Sequence, residues 1–531
     1  MCRTELVASL DGGVARVVKD MLLTAFFNED GHNLGASGIT VRLHDDSRLV
    51  LFCGVAFIYG DEAALHYVYA CKGAAGHKPC FQCLNVVNHH NDRGLMALDR
   101  SGTLVTHAET NDATFIWHTS DSLKHLLDKL ATARATLGKT RFEDFTTSIG
   151  WSLNPHSVLH DPRAFALANC AEHAAFDWMH VYYVIGIFNT HAGLLTRLLK
   201  MQFGVLPSHI DAFVQRFRFP KRLKMKSLKV FSKDRAASTI ENKTFKASAS
   251  EGLTTMPVFP LFLDGLQQRS ADAELRRHCE CFLQLALVTS MLQRSVRGLT
   301  RPDDLRRAVR GHLATFQDLF GSDVMTPKFH YAQHLWQILD RFGVCPSCFT
   351  HERKHRAVKK FGDRIQNTSC SWDASVLREC TSSHLIALAG DDHVGFLPQP
   401  ALVEPRKPAR RLFASLQAAF GNHNKDDFSV ASSAKISEFE VVSVDDVMLF
   451  AHEGRWRIGS IACLLHLAVA DPLPLAIVNL WTVEADMARS WECKRSPDSM
   501  IARCSAISTA LTWSDDHACC MLKPFHISEW R

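Results

Sequence analysis

Two close pairs of potential metal ligands lie far apart in the sequence. Cys80 and Cys83 form the segment CFQC, and His330 and His334 form HYAQH. Two histidines four residues apart in a helix lie on one face. Zinc prefers four sulfur or nitrogen ligands, and two such pairs from distant segments are a common way to supply them. The sequence therefore predicts a structural zinc ion held by these four side chains.

Two carboxylates lie at matching distances from these pairs. Asp61 precedes Cys80 by 19 residues (80 − 61), and Glu352 follows His334 by 18 (352 − 334). Nucleases that use two metals need carboxylates that hold two Mg²⁺ ions about 4 Å apart. A zinc ion joining the two pairs would close the long chain loop between them and bring both acids together. Asp61 and Glu352 are therefore the candidate catalytic residues.

Each of these residues also has an ordinary structural interpretation. An Asp at the start of a helix is most often its N-cap, and this holds for Asp61. Glu352 can pair with Arg356 one helical turn on. Asp177 and His180, three residues apart, can satisfy each other or the backbone inside a packed helix. Taken alone, none of these residues indicates a function; their order along the chain does.

A second set of metal ligands competes with the first. It consists of Cys345, Cys348, His351 and His355, in the segment CPSCFTHERKH. Only two residues separate its cysteine pair from its histidine pair, which is short for a zinc-finger loop. We rank it below the distributed site, although Cys345 and Cys348 remain alternatives for one of the distributed ligands. Cys279 and Cys281 are predicted to be core thiols.

The elements around Asp61 follow from local patterns. Residues 12–27 have helical periodicity, and residues 38–43 and 48–60 are predicted to be β segments joined by a tight turn. The stretch from Asp61 has acids in its first turn and predicts a helix. Asp61 is therefore expected where a strand ends and a helix begins.

The rest of the chain divides by texture. Residues 120–325 are predicted to be mostly helical, and 326–343 and 349–365 are two further helices. The Pro- and Arg-rich segment 399–411 is typical of a linker. Beyond about 435, short β-like runs alternate with turns and predict a small β-rich domain.

Composition indicates a folded protein of several domains. The chain has 531 residues, of which 47% are apolar and 22% charged, so two or three domains are expected. Its 17 cysteines are scattered, and close pairs in such a chain indicate metal ligands before disulfides. The start of the sequence has no signal-peptide pattern. The most apolar stretch, 176–199, is interrupted by polar residues and is predicted to be a buried helix, not a membrane span.

Charge does not by itself indicate a nucleic-acid-binding protein. The net charge is only +5, so any such surface must be local. One basic run precedes Asp234, and such a run is a solvated surface, a nuclear-import signal or a segment that follows DNA phosphates. Its candidate DNA-binding residues are Lys221, Arg222, Lys224, Lys226 and Lys229.

The order of these motifs resembles the DDE transposases of the CACTA/Tnp2 type, which have an RNase H-like fold. The segments that carry the resemblance are GDEAA at 60–64, CFQC at 80–83, DWMH at 177–180, HYAQH at 330–334 and THERKH at 350–355. KASASEGL at 246–253 and MTPKFHYAQHL at 325–335 are also similar to the family. The resemblance covers roughly residues 5–380.

The resemblance implies roles for the matching residues. Asp61 and Glu352 match the second and third catalytic carboxylates, which bind Mg²⁺, and Cys80, Cys83, His330 and His334 match the zinc ligands. Asp177 and His180 match a D-x-x-H motif near the active site. The family's first catalytic Asp lies on an earlier strand, and no match precedes Asp61. We therefore expect an N-terminally truncated chain that is inactive as given, because one metal would lack a bridging ligand.

The resemblance also implies an architecture. The expected fold class is α/β plus α: a partial RNase H-like core interrupted by a large helical insertion and followed by a small β-rich C-terminal domain. The expected domains are a partial core with the Cys-x-x-Cys (1–115), the helical insertion (116–325), the rest of the core with the histidine pair and Glu352 (326–385), a linker (386–434) and the β-rich domain (435–531).

Three functions follow from these expectations. The first is a transposase-derived protein, ancestrally cleaving and joining DNA by two-metal chemistry, in the nucleus and as a homo-oligomer. The second is a non-catalytic, zinc-stapled DNA- or chromatin-binding protein. The third is a structural or protein-interaction role with unmetallated cysteines. Bound zinc separates the third function from the others, and Mg²⁺-dependent nicking separates the first from the second.

Overall fold

The computed structural model describes most of the chain. The described residues are 10–28, 33–42, 46–88, 104–223, 228–296, 298–349, 361, 365, 372–389, 393–394, 397–398, 400–436, 440–468, 473–487, 489–514 and 519–523. Within them the fold is mixed α/β, with a β-rich C-terminal region. This confirms the predicted fold class at that level of detail.

The strands and helices are numbered in chain order. The strands are β1 (Ile39–Arg42), β2 (Arg48–Leu51), β3 (Ile58–Gly60), β4 (Val86–Val87), β5 (Val105–Thr106), β6 (Ala174–Phe176), β7 (His393–Val394), β8 (Leu397–Pro398), β9 (Ala401–Val403), β10 (Phe428–Ala431), β11 (Ser433–Lys435), β12 (Val441–Ser443), β13 (Val447–His452), β14 (Arg455–Leu467), β15 (Leu475–Asp486), β16 (Ser490–Arg503), β17 (Ile507–Ala510), β18 (Trp513–Ser514) and β19 (Cys519–Leu522). The helices are α1 (Gly13–Phe27), α2 (Glu62–Tyr69), α3 (Ser120–Thr136), α4 (Lys139–Ile149), α5 (Pro162–Ala168), α6 (Cys170–His173), α7 (Trp178–Tyr183), α8 (Ile187–Met201), α9 (Pro207–Val214), α10 (Lys233–Asn242), α11 (Ala249–Arg269), α12 (Ala273–Ser295), α13 (Pro302–Phe320), α14 (Pro327–Ala332), α15 (Leu335–Phe342), α16 (Trp372–Ala389) and α17 (Arg410–Phe420).

The chain forms two compact units. The first contains residues 1–195, 242–252 and 276–377, and the second contains 196–241, 253–275 and 378–531. The predicted helical insertion, 116–325, is therefore shared between the units. The predicted linker, 386–434, contains β9, α17 and β10, and β10 pairs with β14. Its Pro- and Arg-rich composition describes only the short stretch between β9 and α17.

A pair of short parallel strands lies at the centre of the first unit. β3 pairs with β6, and Gly60 lies opposite Phe176. Helix α2 follows β3 directly, as predicted for the segment after Asp61, and α7 follows β6 in the same way. The carboxyl ends of both strands therefore meet at one edge, which is where open α/β sheets place their ligands.

The apolar stretch 176–199 is not the single buried helix that its composition predicts. It begins in β6, continues through α7 and, after Ile185 at φ 48°, enters α8. A buried parallel strand and a buried helix are both continuous apolar runs, so periodicity does not separate them. Another prediction is partly confirmed: β1 and β2 form an antiparallel hairpin, but residues 48–60 break into β2 and β3.

An antiparallel sheet dominates the second unit. Eight strands pair in the order β17-β13-β14-β15-β16-β19-β18, with β10 also pairing with β14. Successive residues of β13 enter different core clusters, Met448 and Phe450 in one and Val447 and Leu449 in the other. Because successive side chains of a strand point to opposite faces, this strand is buried on both sides. The β-rich character of the C-terminal region is confirmed, and this region belongs to a unit that also contains residues 196–241 and 253–275.

The helices were compared with the length and apolar character of a membrane span. Within the described ranges, no helix has the length and apolar character needed to cross a bilayer.

Gly150 fixes the loop that leads to Cys80. It ends α4 at φ 77°, and a Cβ placed on it would lie 2.2 Å from the carbonyl oxygen of Lys78. We therefore expect Gly150→Ala to lower the free energy of unfolding by more than about 1 kcal/mol. The control is Gly311→Ala within α13, where the added Cβ has no heavy atom within 4 Å. That control is expected to raise stability by about 0.5–1 kcal/mol. Urea denaturation measures both, and equal effects would contradict the packing argument.

Candidate metal centre and carboxylate site

Four buried side chains converge in the first unit. Sγ of Cys80 lies 3.3 Å from Nε2 of His334, and Sγ of Cys83 lies 3.8 Å from the same nitrogen. Nε2 of His330 is 3.0 Å from Nε2 of His334. All four side chains are at most 1% exposed, and their donor atoms lie within 4.8 Å of one another. The two predicted ligand pairs therefore form one group across more than 250 residues of sequence.

The separations in this group match those around a tetrahedral metal ion. Zinc bonds nitrogen and sulfur at about 2.0–2.3 Å, which places tetrahedral ligands roughly 3.3–3.8 Å apart. The three measured separations of 3.0, 3.3 and 3.8 Å fall on or near that range. Two thiols and two imidazoles are also the donor types of closed structural sites. The group can therefore hold a metal ion.

Local structure orients the two pairs. The backbone N–H of Gln82 donates to Sγ of Cys80 at 3.3 Å, as is favourable for a thiolate in a Cys-x-x-Cys turn. The histidines do not lie on one continuous helix as predicted. His330 is in α14, and His334 is the N-cap residue of α15. The turn between these helices still directs both Nε2 atoms to the same point.

The protonation states suit metal binding. Burial alone would raise the pKa of Cys80, but a hydrogen bond from Cys83 and the two imidazoles hold that pKa well below its usual range. Burial and the adjacent Cys80 raise the pKa of Cys83 well above its usual range. Burial lowers the pKa of His330, so its imidazole is neutral, the form that binds metals. These neighbours therefore favour the thiolate form of Cys80, which is the form that binds metals.

A stack of three aromatic rings connects the metal centre to strand β6. Phe81, between the two cysteines, stacks on Phe176 with ring centroids 4.8 Å apart. Tyr331, between the neighbouring histidines, also stacks on Phe176, with ring centroids 4.7 Å apart. Phe176 directly precedes Asp177 in the sequence. The position of Asp177 therefore depends on the packing around the four donors.

Asp61 and Asp177 occupy equivalent positions at the ends of the two parallel strands. Asp61 follows β3 and caps α2, accepting a hydrogen bond from Ala64 N at 2.6 Å. Asp177 follows β6 and caps α7. Asp177 N donates to Gly60 O at 3.1 Å, which holds the two strand ends together. The ordinary interpretation of Asp61 as an N-cap is correct, and it does not exclude a second role for its free oxygen.

The hydrogen bonds of Asp177 use its carboxylate completely. Oδ1 accepts from Met179 N and Cys348 N, each at 3.0 Å. Oδ2 accepts from His180 N at 3.3 Å and from His180 Nδ1. A carboxylate offers about four lone-pair positions, so none is left for a metal ion. Asp177 is fully buried and acts as a positioning residue for His180 and for the chain around Cys348.

His180 connects the two aspartates. Its Nδ1 is bonded to Asp177, and its Nε2 lies 4.0 Å from Oδ2 of Asp61, whose side chain is 39% exposed. Burial favours the neutral ring, but the hydrogen bond and charge of Asp177, with the charges of Asp61 and Glu62, raise the pKa of His180 above its ordinary value. His180 can therefore move a proton at Nε2, beside an accessible carboxylate oxygen.

Lys328 helps to position the carboxylate site, a role that the sequence did not indicate. Its Nζ pairs with Oε1 of Glu62 at 2.8 Å and donates to the carbonyl oxygens of His180 and Val184 at 3.1 and 2.7 Å. It lies two residues before His330 and fixes α14 against α2 and α7. A single lysine before a histidine pair carries no spacing signal, so only the structure reveals this role.

Two other predictions end at the limits of the described residues. Glu352 lies outside them, as do His351 and His355 of the competing ligand set. The structure describes Cys345 as buried, with its thiol donating to Leu335 O at 3.3 Å. Cys348 groups with Asp177 and His180 and not with the four-donor centre. The chain thus reaches the carboxylate site four residues before Glu352 in the sequence.

The predicted DNA-binding run belongs to the second unit and contacts its sheet. Nζ of Lys221 lies 3.0 Å from Oδ2 of Asp445, and Lys221 N donates to Asp446 at 3.0 Å. Nε of Arg222 pairs with Glu440 at 3.1 Å. Lys229 is exposed, whereas Lys224 and Lys226 lie outside the described residues. These acids offset part of the basic charge, and DNA binding by this run stays a prediction.

Comparisons with known proteins identify no relative. No protein-family model, no curated protein and no solved structure matches this chain. The functional argument therefore depends on the residues and their geometry.

Proposed function

We propose that this protein is a zinc-stapled DNA-processing protein derived from DDE transposases, with an RNase H-like core. The observation that carries the proposal is the buried group of two cysteines and two histidines. Its donor types and separations suit zinc. It joins the loop that follows Asp61 to the helices that precede Glu352, which is the function expected of a staple in that family.

The carboxylate site supports a phosphoryl-transfer function. β3 and β6 end side by side, and each is followed by an aspartate and a helix N-terminus. The two aspartates cap these helices and so place two carboxylates side by side at the strand ends. Oδ2 of Asp61 is partly exposed and is free to bind a divalent cation, since its Oδ1 caps α2. Mg²⁺ bound there would stabilise charge on a phosphate.

The chain's own residues would divide the remaining work. Asp177 holds Nδ1 of His180, so Nε2 of that ring is directed to the side of Asp61. Nε2 can accept or donate a proton at the oxygen of an attacking or leaving group. Glu352 is the proposed second metal-binding carboxylate, since Cys348, just before it in the sequence, binds Asp177 through its backbone N–H.

A non-catalytic DNA-binding protein is the second candidate. The observation that favours it is the saturation of Asp177 by four hydrogen bonds. Glu62, the other acid beside the site, is paired with Lys328. Among the described residues at this site, Asp61 offers a partly exposed oxygen, whereas the second oxygen of Glu62 is buried. We also propose, for either candidate, that the protein is nuclear and self-associates.

A plasmid-nicking assay tests the proposal. If the carboxylates present are sufficient without a match to the family's first Asp, the wild type converts supercoiled DNA to nicked circles with Mg²⁺ or Mn²⁺; a chain inactive as given does not. Asp61→Asn is expected to lower the rate by at least ~100-fold, about 3 kcal/mol, because a metal-binding carboxylate is lost. Asp121→Asn is the control, since that side chain is 94% exposed and pairs with Lys124 in its own helix.

The other outcomes separate the candidates. DNA binding that weakens with salt, without nicking in either cation, would favour the non-catalytic protein. Equal nicking by the wild type and Asp61→Asn would exclude Asp61 from catalysis. If the protein neither bound nor nicked DNA, both candidates would be contradicted and the structural role would remain.

A further inference from the structure

A second group of metal-binding side chains lies in the helical part of the first unit. His191 is in α8, Cys281 in α12 and His312 in α13. All three are completely buried, and one donor atom from each lies within 4.8 Å of the others. These residues share no close spacing in the sequence, so no motif predicts the group. The prediction that Cys281 is a core thiol holds, but its neighbours are not those of an ordinary core.

The two histidines face each other as ligands of one ion would. Nδ1 of His191 lies 3.2 Å from Nε2 of His312, close to the roughly 3.3 Å between two nitrogen ligands of a tetrahedral zinc ion. Phe282, Phe316 and Phe320 surround His191, with ring centroids at 5.0, 5.0 and 5.6 Å. The donors therefore meet inside an apolar shell that separates them from solvent.

A hydrogen bond between the two rings is the ordinary explanation for their approach. It uses one nitrogen of each ring, and the other two, Nε2 of His191 and Nδ1 of His312, have no hydrogen-bond partner among the described residues in either interpretation. The hydrogen bond does not explain why Sγ of Cys281 lies in the same group. A metal ion held by all three donors does.

Burial disfavours the charged form of all three groups. Burial lowers the pKa of His191 well below its usual value and that of His312 to about 3, so both imidazoles are neutral. Burial raises the pKa of Cys281 to about 12, so the thiol keeps its proton until a metal arrives. Binding of one divalent ion would therefore release one proton, from Sγ of Cys281.

We propose that His191, Cys281 and His312 form a second structural metal site, which binds a borderline-soft ion of the zinc class. One thiolate and two imidazoles bind zinc in preference to calcium or magnesium, which favour oxygen ligands. His278 lies three residues before Cys281 in α12 and is 3% exposed, but it does not belong to the group, which supplies three ligands. The ion would hold α8, α12 and α13 together in the region where Phe282, Phe316 and Phe320 pack.

Metal content of the purified full-length protein tests this proposal. The wild type, loaded with Zn²⁺ and freed of excess, is expected to contain about two equivalents. Cys281→Ser is expected to contain about one, and so is Cys80→Ser, because each variant removes a different site. Cys279→Ser is the matched control, since Cys279 is equally buried two residues away on α12 and is not in the group. It should keep both equivalents.

A second measurement tests the site even if one of these variants folds poorly. Co²⁺ bound through a thiolate gives a sulfur-to-metal absorption band, so Co²⁺ titration counts thiolate sites while the four-donor centre stays intact. We expect the band to grow until about two equivalents are bound in the wild type, and to stop at about one in Cys281→Ser and in His312→Gln. One equivalent of metal in the wild type, or no loss of metal and no loss of the band in the Cys281 and His312 variants, would overturn the second site and leave the first intact.

Discussion

Replacing Cys80 by serine is expected to remove the metal from the four-donor centre and to lower the free energy of unfolding by at least about 3–5 kcal/mol. Losing a structural metal ranks among the most destabilising single changes, because its binding energy is part of the folding energy. Three further ligands would remain buried without their partner, at 0–1% exposure. Metal analysis and thermal unfolding, each with and without a chelator, measure the effect.

The control for this variant is Cys71→Ser. Cys71 is also buried, at 6% exposure, and lies nine residues before Cys80 (80 − 71), but it is not one of the four donors. It should keep its metal and lose stability only as an ordinary core thiol does. Unchanged metal content in Cys80→Ser, or equal losses in both variants, would contradict the ligand assignment.

The loss of metal is also expected to reach the carboxylate site. Phe176 stacks on both Phe81 and Tyr331, and both of these residues are next to ligands in the sequence. Gln82 donates to Ala174 O at 3.1 Å, which fixes the cysteine loop to β6. Because Phe176 directly precedes Asp177, a disordered cysteine loop would release the strand end that holds His180. The two sites are thus mechanically connected within the first unit.

Local chemistry made part of this arrangement predictable. Gly60 followed by an acid-rich helix start places Asp61 at a strand end, and the structure has β3, the Asp61 cap and α2 in that order. The Cys-x-x-Cys and the histidine pair indicate a metal because few other functions need such spacing. Even the break between α14 and α15 leaves the histidine side chains where a helix would have placed them.

Long-range pairing escaped the sequence for physical reasons. β6 is three residues long and buried, and nothing in Ala174–Phe176 distinguishes it from the helix turns that follow. Its partner β3 lies 116 residues earlier (174 − 58), and that pairing decides that Asp177 stands beside Asp61. The expectation that Asp177 and His180 satisfy each other and the backbone is correct, but at a strand–helix junction and not inside a helix.

The charge pattern of residues 221–229 did not reveal the acidic partners of this run. The run contains no acid, so it looks like a free cationic surface. Its partners Glu440 and Asp445 come from more than 200 residues further along the chain. Ion pairs of this kind contribute little stability when exposed, and Lys221 and Asp445 are 54% and 78% exposed. They still alter the local charge that a phosphate backbone would meet.

Replacing Asp177 by alanine is expected to lower the free energy of unfolding by about 3–5 kcal/mol, the range for breaking a buried, charged hydrogen-bond network. Three backbone N–H groups, of Met179, His180 and Cys348, would lose their acceptor, and Nδ1 of His180 would lose its partner. Loss of the N-cap alone accounts for only about 1 kcal/mol of this. Denaturant unfolding measures the total.

The pH dependence of this effect follows from His180. Its pKa is raised in the folded protein, so its charged form contributes stability that is fully present below the unfolded value of about 6.5. That contribution is lost as the pH rises through the folded-state pKa. The stability difference between the wild type and His180→Gln should therefore be larger at about pH 5.5 than at about pH 8.5. In Asp177→Asn, the pKa of His180 measured by NMR should fall, since the neighbouring charge is gone.

Asp61→Ala distinguishes this network from an ordinary helix cap. Asp61 also caps a helix after a parallel strand, but its carboxylate accepts one backbone hydrogen bond and is 39% exposed. Its loss is expected to cost about 1 kcal/mol. If Asp61→Ala and Asp177→Ala lost equal stability, or if His180 titrated alike in the wild type and Asp177→Asn, then Asp177 would be a cap only. A larger loss at Asp177, with a lowered pKa at His180, is the result that the buried network requires.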